Sequence, residues 1–133
     1  MLNSLHKKSS SKIYDLSIQF VADPNKYIAT HTHTTGGAVD VTLLNQENNQ
    51  YLDFGCLHNE PNDLSWTFNF AKLSDEQKNN RSLLFNAMIG AGFANLASEW
   101  WHYSYGDQIC AMSYDKSKAI YGSIDFKRLA TKC

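Results

Sequence analysis

Two short stretches of this chain concentrate side chains that hold metals and move protons. The first is His31-Thr32-His33-Thr34-Thr35-Gly36-Gly37-Ala38-Val39-Asp40, and the second is Glu99-Trp100-Trp101-His102. Imidazole nitrogen and carboxylate oxygen are zinc's usual non-sulfur ligands, and a catalytic zinc site takes three protein ligands and keeps one position open. Each residue also has an ordinary reading. Asp40 lies in the most apolar stretch of the chain, where a buried carboxylate is costly unless it binds a metal or joins a hydrogen-bond network. His33 alone reads as a loop histidine, His102 as a satisfied core histidine beside two tryptophans, and Glu99 as a surface carboxylate. If residues 99–102 are extended, Glu99 and His102 point to opposite faces. They meet at one metal only where the chain bends or bulges between them.

The elements that must position these groups are legible to different degrees. Thr30 to Gly37, rich in Thr, His and Gly, reads as a loop that runs into Ala38-Val39-Asp40-Val41-Thr42-Leu43-Leu44. That β-branched, apolar segment is expected to be a central strand. Asn45 to Gln50 is a polar turn, and Tyr51 to Phe54 returns as a second strand. Residues 55–72, with Gly55, Pro61 and Trp66, form a long irregular stretch of the kind that often carries function. Ser74 with Gln77 makes a capping box, Asp75 and Glu76 suit the positive end of a helix, and Gly92 suits its stop. One main helix over residues about 74–91 follows, with Leu83, Leu84, Ala87, Met88 and Ala91 on one face. The run Glu99 to Tyr105 reads as a strand, Gly106-Asp107 as a turn, and Cys110 to Tyr114 as a last strand with Ala119 to Tyr121 packed nearby. Upstream, Ile13 to Ala22 is a weakly patterned strand and Asp23-Pro24-Asn25 a turn. The expected fold class is α+β: a small antiparallel sheet with one main helix and the metal site at the sheet.

A chain of 133 residues fits one domain. The expected division is a flexible Lys/Ser-rich tail over 1–12 and a single domain over 13–133. Apolar residues make up 43% and charged residues 19%, and the formal net charge is -1, which argues against nucleic acid or an anionic membrane surface as partner. Cys56, Cys110 and Cys133 form no C-x-x-C pair, and read as reduced or buried thiols. No secretory signal and no run of about 20 apolar residues is visible. The expected location is cytoplasmic, or periplasmic if the N-terminus is truncated. Oligomeric state is left open.

Taken together, His33-x-x-Gly36-x-Ala38-x-Asp40 and the downstream Glu99-x-x-His102 resemble the zinc D-alanyl-D-alanine dipeptidases, the VanX-like group. The wider family includes D-Ala-D-Ala carboxypeptidases and some peptidoglycan endopeptidases. The likeness extends over roughly residues 20 to 124 and takes in Val39 to Leu43, Asn80-Arg81 through Gly92-Phe93, Glu99-Trp100-Trp101-His102-Tyr103, Gly106-Asp107-Gln108 and Ala119 to Gly122. The resemblance implies one zinc per chain, held by His33, Asp40 and His102, with Glu99 as general base. Zinc lowers the pKa of its bound water toward about 7 and polarises the scissile carbonyl, and an adjacent carboxylate shuttles the proton to the leaving amine.

The chain departs from that pattern in three places. The family's upstream transition-state arginine has no counterpart, since the only arginines are Arg81 and Arg128. Arg81 aligns with a helical position and reads as structural, so the chain is either the C-terminal part of a longer ancestral enzyme or a reduced form that uses Lys26 or a backbone donor in that role. Losing one such donor lowers rate about 100- to 1,000-fold. His31 stands where the dipeptidases have serine, and is either an alternative ligand or a residue facing substrate. The family's aspartate for the substrate's amino group is replaced by Cys56-Leu57-His58-Asn59-Glu60, where Asn59 or Glu60 is the substitute.

The leading expectation is therefore a zinc metallopeptidase acting on D-Ala-D-Ala or a related cell-wall dipeptide. The alternative is a catalytically impaired zinc-binding domain with a binding or regulatory role, and a third reading is a peptidase for L,D-linked cell-wall peptides. The cluster Trp100, Trp101, Tyr103 and Tyr105 reads as core packing, and Trp66 and Phe68 as loop anchors or pocket walls.

Overall fold

The computed structural model of the chain describes residues 32–60 and 62–124. All of them belong to a compact unit that begins at Thr32. The tail over 1–12, the domain start at 13, the strand at 13–22, the turn at 23–25, Lys26, His31, Pro61, Arg128 and Cys133 lie outside the described residues.

The fold is α+β, as its sequence pattern requires. Strands β1 (Ala38–Asp40), β2 (Leu44–Asn45), β3 (Gln50–Tyr51), β4 (Ala94–Asn95) and β5 (His102–Ser104) form two antiparallel sheets, ordered β1-β5-β4 and β2-β3. In the larger sheet Ala38, Val39 and Asp40 pair with Ser104, Tyr103 and His102, while Ala94 and Asn95 pair with Ser104 and Tyr103. The expected long central strand over 38–44 is thus two short pieces, and the middle of the sheet is β5. Residues 38–44 read as central because they are β-branched and apolar, but among the described residues β1 pairs on one side only, with β5, and Val39 is 41% exposed. Gly37 lets this strand start: a Cβ there would collide with the Tyr105 carbonyl oxygen, to which the chain lies close through the Tyr105 N–H to Gly37 O bond of 2.7 Å.

Helix α1 (Asp75–Gly90) has the expected capping box, in which Ser74 Oγ accepts Gln77 N–H and Gln77 Oε1 accepts Ser74 N–H. Its end is a Schellman turn. Gly92 takes φ +88°, its N–H reaches Ile89 O at 2.9 Å, and Phe93 N–H reaches Met88 O at 3.0 Å. The inward face differs from the one expected. Leu84 and Arg81 are buried and Met88 half-buried, whereas Leu83, Ala87 and Ala91 are exposed. A buried arginine shifts the packed face about a quarter-turn from the one apolar spacing marks.

A second helix, α2 (Gln108–Ser113), stands where a last strand was expected at Cys110–Tyr114. Asp107 caps it, with its side chain accepting Cys110 N–H at 3.0 Å. Six residues are too few for the helical period to register in an apolar pattern. The core gathers Phe54, Leu84, Trp100, Trp101 and Tyr103, and Phe54 stacks on Trp100 with ring centroids 4.1 Å apart. Tyr105, expected in the same packing, is exposed. No described helix is long and apolar enough to cross a membrane.

Candidate metal centre

The 3₁₀ turn His33–Thr35 precedes β1 and presents His33, the end of β1 carries Asp40, and the start of β5 carries His102. The pairing of Asp40 with His102 across the ladder brings the last two together from distant parts of the sequence. One ligand atom from each of His33, Asp40 and His102 lies within 4.8 Å of the others. His33 Nε2 is 3.4 Å and His102 Nδ1 3.3 Å from Asp40 Oδ1. A tetrahedron with bonds of about 2.0–2.1 Å has edges of about 3.3 Å, and these two separations match that edge. The donor set of two imidazoles and one carboxylate suits that metal.

Asp40 is not the buried carboxylate its neighbours suggest. Its side chain is 29% exposed, that of His33 is 51% exposed, and that of His102 only 3%. His102 lies on β5, which is paired on both sides, and is enclosed, while Asp40 keeps part of its side chain in solvent. The cost of burying a charge therefore gives no argument for a metal here; convergence of the three side chains does.

His102 is held from behind. Its Nε2 lies 3.2 Å from Thr32 Oγ1 and 3.2 Å from Ser104 Oγ, both on buried residues. A hydrogen on Nε2 satisfies these hydroxyls and leaves the Nδ1 lone pair directed at the cluster, the usual way an outer hydrogen bond fixes a ligand imidazole. Ser104 follows His102 by two residues and so shares its face of β5.

The bend required between Glu99 and His102 is present. Residues 99–101 form a turn rather than the first half of a strand, closed by His102 N–H to Glu99 O at 3.3 Å. Glu99 Oε2 consequently comes within 3.7 Å of His102 Nδ1. Burial pushes the Glu99 carboxyl above its ordinary pKa; His102 counteracts this, Asp40 adds to it, and the Trp101 indole favours the charged form. That indole N–H is buried without a well-formed hydrogen bond.

Two imidazoles and one carboxylate thus converge, with a second carboxylate, that of Glu99, alongside. Residues 7–120 match the sequence model of the peptidase family described as D-Ala-D-Ala dipeptidase. The chain belongs to this family. The dipeptidase-family chain is 32% identical over 138 residues to a D-alanyl-D-alanine dipeptidase of Synechocystis sp., covering 91% of this chain and 56% of that protein. It is 35% identical over 71 residues to the D-alanyl-D-alanine dipeptidase of Escherichia coli, covering 53% of this chain and 36% of that protein. It thus spans about half the length, or less, of these curated relatives.

Of the other candidates in this dipeptidase-family chain, Asn59 and Glu60 sit in an exposed turn. Asn59 has φ +60°, and Glu60 Oε2 accepts Leu57 N–H at 3.1 Å. Among the described residues no hydrogen bond or ion pair joins either one to the metal cluster. Trp66 and Phe68 are half-exposed and, with Asp63, Asn69 and Ala97, line a cavity of about 400 Å³. Arg81 is structural, as its helical position suggested, and acts on backbone carbonyls. Its Nε and Nη2 donate to Phe54 O at 2.9 and 2.6 Å, Nη2 to Leu64 O at 2.5 Å, and Nη1 to Trp66 O at 2.7 Å.

Proposed function

We propose that this chain is a zinc-dependent peptidase for D-Ala-D-Ala or a related cell-wall dipeptide, with His33, Asp40 and His102 as ligands and Glu99 as general base. The observation that supports it most is the approach of Glu99 Oε2 to 3.7 Å from His102 Nδ1, beside a three-ligand cluster. A structural metal site has no use for a further carboxylate at that position. When bound, zinc supplies a Lewis acid for the scissile carbonyl and makes water acidic enough to react near neutral pH. Glu99 accepts the proton of the attacking water on its carboxylate and returns it to the leaving amine. Burial excludes competing solvent from Glu99 and His102, while the exposed Asp40 and His33 leave the cluster open to substrate. Asn59 and Glu60, exposed in their turn, are the candidates for the substrate's amino group, with His31 as a further contact.

A second reading is favoured by one observation. No arginine precedes Arg81 in the sequence, and the Arg81 guanidinium is buried and given over to backbone carbonyls. A zinc-bound chain in which nothing takes the place of that cation would turn over slowly and serve as a zinc-binding domain with a binding or regulatory role. Zinc content of the purified chain, measured with D-alanine release from D-Ala-D-Ala with and without chelator, separates the two. One zinc with chelator-sensitive release supports the peptidase; one zinc without release supports the binding domain; absence of tightly bound metal overturns both.

A further inference from the structure

The catalytic base and the buried ligand both lie on the 99–102 turn, and one side chain outside the cluster holds that turn in shape. Asn95, on β4, faces the point where β5 leaves the ladder. Its Nδ2 donates to Glu99 O at 3.1 Å and to His102 O at 3.0 Å. Its Oδ1 accepts the hydroxyl of Thr67 at 2.7 Å, and Thr67 is buried and donates its own N–H to Ala97 O. An amide has two N–H groups and one carbonyl oxygen, and all three are engaged here. The geometry selects asparagine. Aspartate would direct a charged acceptor at two carbonyl oxygens, glutamine is one methylene too long, and serine or threonine offers one donor where two are needed.

We propose that Asn95 is the positioning residue for this site, fixing the separation of Glu99 and His102 by clamping the carbonyls at both ends of their turn, with Thr67 orienting the Asn95 amide. The inference rests on the peptidase reading for what Glu99 does, and on metal binding alone for what His102 does. Side chains three residues apart on an extended chain diverge, so the 3.7 Å approach of Glu99 to His102 exists only while this turn is kept. A shift of about 1 Å at such a site costs on the order of 100-fold in rate. Thr67 also ties the turn to the 55–72 stretch, which lines the cavity.

The test uses the full chain and zinc itself as the probe. Asn95→Ala is expected to weaken zinc, measured by competition with a chromophoric chelator, by about 10-fold or more, the usual consequence of losing an outer-shell partner. It should lower kcat on D-Ala-D-Ala by about 10- to 100-fold with KM changed by less than about threefold. Asn95→Asp should lose more than Asn95→Ala despite its matching shape. Thr67→Val should move zinc affinity in the same direction by less, and Thr67→Ser, which keeps the hydroxyl, should lose less than Thr67→Val. Ser74→Ala at the α1 cap controls for general loss of stability, since it lowers the melting temperature without contact with the turn. If Asn95→Ala lowers only the melting temperature and keeps wild-type zinc affinity and kcat, Asn95 is structural and the inference is wrong. If wild-type chain binds zinc but releases no D-alanine, the peptidase reading fails while the chelator titration still decides Asn95. If wild-type chain binds no zinc, both fall together.

Discussion

The dipeptidase-family chain has two polar clusters packed against the same aromatic core, and they are built on opposite principles. Around Arg81 the carbonyls of Phe54, Leu64, Trp66 and Thr67 all receive its N–H groups, the Cys56 thiol is a further partner, and the guanidinium lies 5.9 Å from the Trp100 ring centre. Around Asp40 the reverse holds. Two imidazoles and two carboxylates converge at 3.3–3.7 Å, and an uncharged imidazole brings at most one donor to such a group. The first cluster is saturated and closed, and the second has a surplus of lone pairs directed at one point and two exposed members. Saturation marks a group that holds the fold together; convergent acceptors mark a group suited to hold a cation.

The comparison can be broken from either side. Replacing Glu99 by Gln is expected to have the largest effect, a fall in kcat of about 100- to 10,000-fold with zinc retained, because a general base contributes on that scale; assay of D-alanine release alongside metal content checks it, and unchanged turnover would remove Glu99 from the mechanism. On the other side, Arg81→Met should cost about 3 kcal/mol or more in urea denaturation, since several buried carbonyls lose their donor together. The folded fraction should still take up one zinc. Equal damage to zinc binding would mean that the two clusters are not separate.

Three smaller changes sharpen the contrast. Ser104→Ala removes one hydroxyl from behind His102, and zinc affinity by chelator competition should fall about 10-fold, with a minor change in melting temperature. Ser74→Ala breaks the capping box and should cost about 1 kcal/mol of stability, read by thermal melting, with kcat unaltered. The weakest effect concerns acid. Asp53 is held below the ordinary carboxylate range, first by the Gln77 side-chain amide and then by the Gly55 N–H. A carboxyl whose folded pKa is lowered contributes stability above its unfolded pKa and loses it as pH falls through the folded value. Below about pH 4, the stability of the wild-type chain should therefore fall more steeply than that of Asp53→Asn, as followed by melting temperature against pH.

Much of the scaffold could be read from single residues. Ser74, Gln77 and Gly92 bound α1 because caps act locally, through hydrogen bonds between residues three to five apart. The same logic was available at Asp107, whose cap marks α2, but the segment it opens is too short to declare a period. The inward face of α1 was legible only in part, because Arg81 takes a core position that apolar spacing cannot register.

The candidate site divides in the same way. The sequence by itself carried the residue types and their spacing, His33 to Asp40 and Glu99 to His102, and with them the family and the metal chemistry to expect. It could not say that β5 lies between β1 and β4 and that Asp40 is open to solvent, since strand order depends on which distant segment pairs with which. Nor could it say that residues 99–101 turn. That turn is held by Asn95 and by Trp100 N–H on Ser65 O, contacts from other segments that override the extended preference of an aromatic run. Local hydrogen bonds are encoded where they act. The approach of Glu99 to His102 was decided by the tertiary structure, because the groups that bend the chain there come from a neighbouring strand and a loop 35 residues upstream, from Ser65 to Trp100.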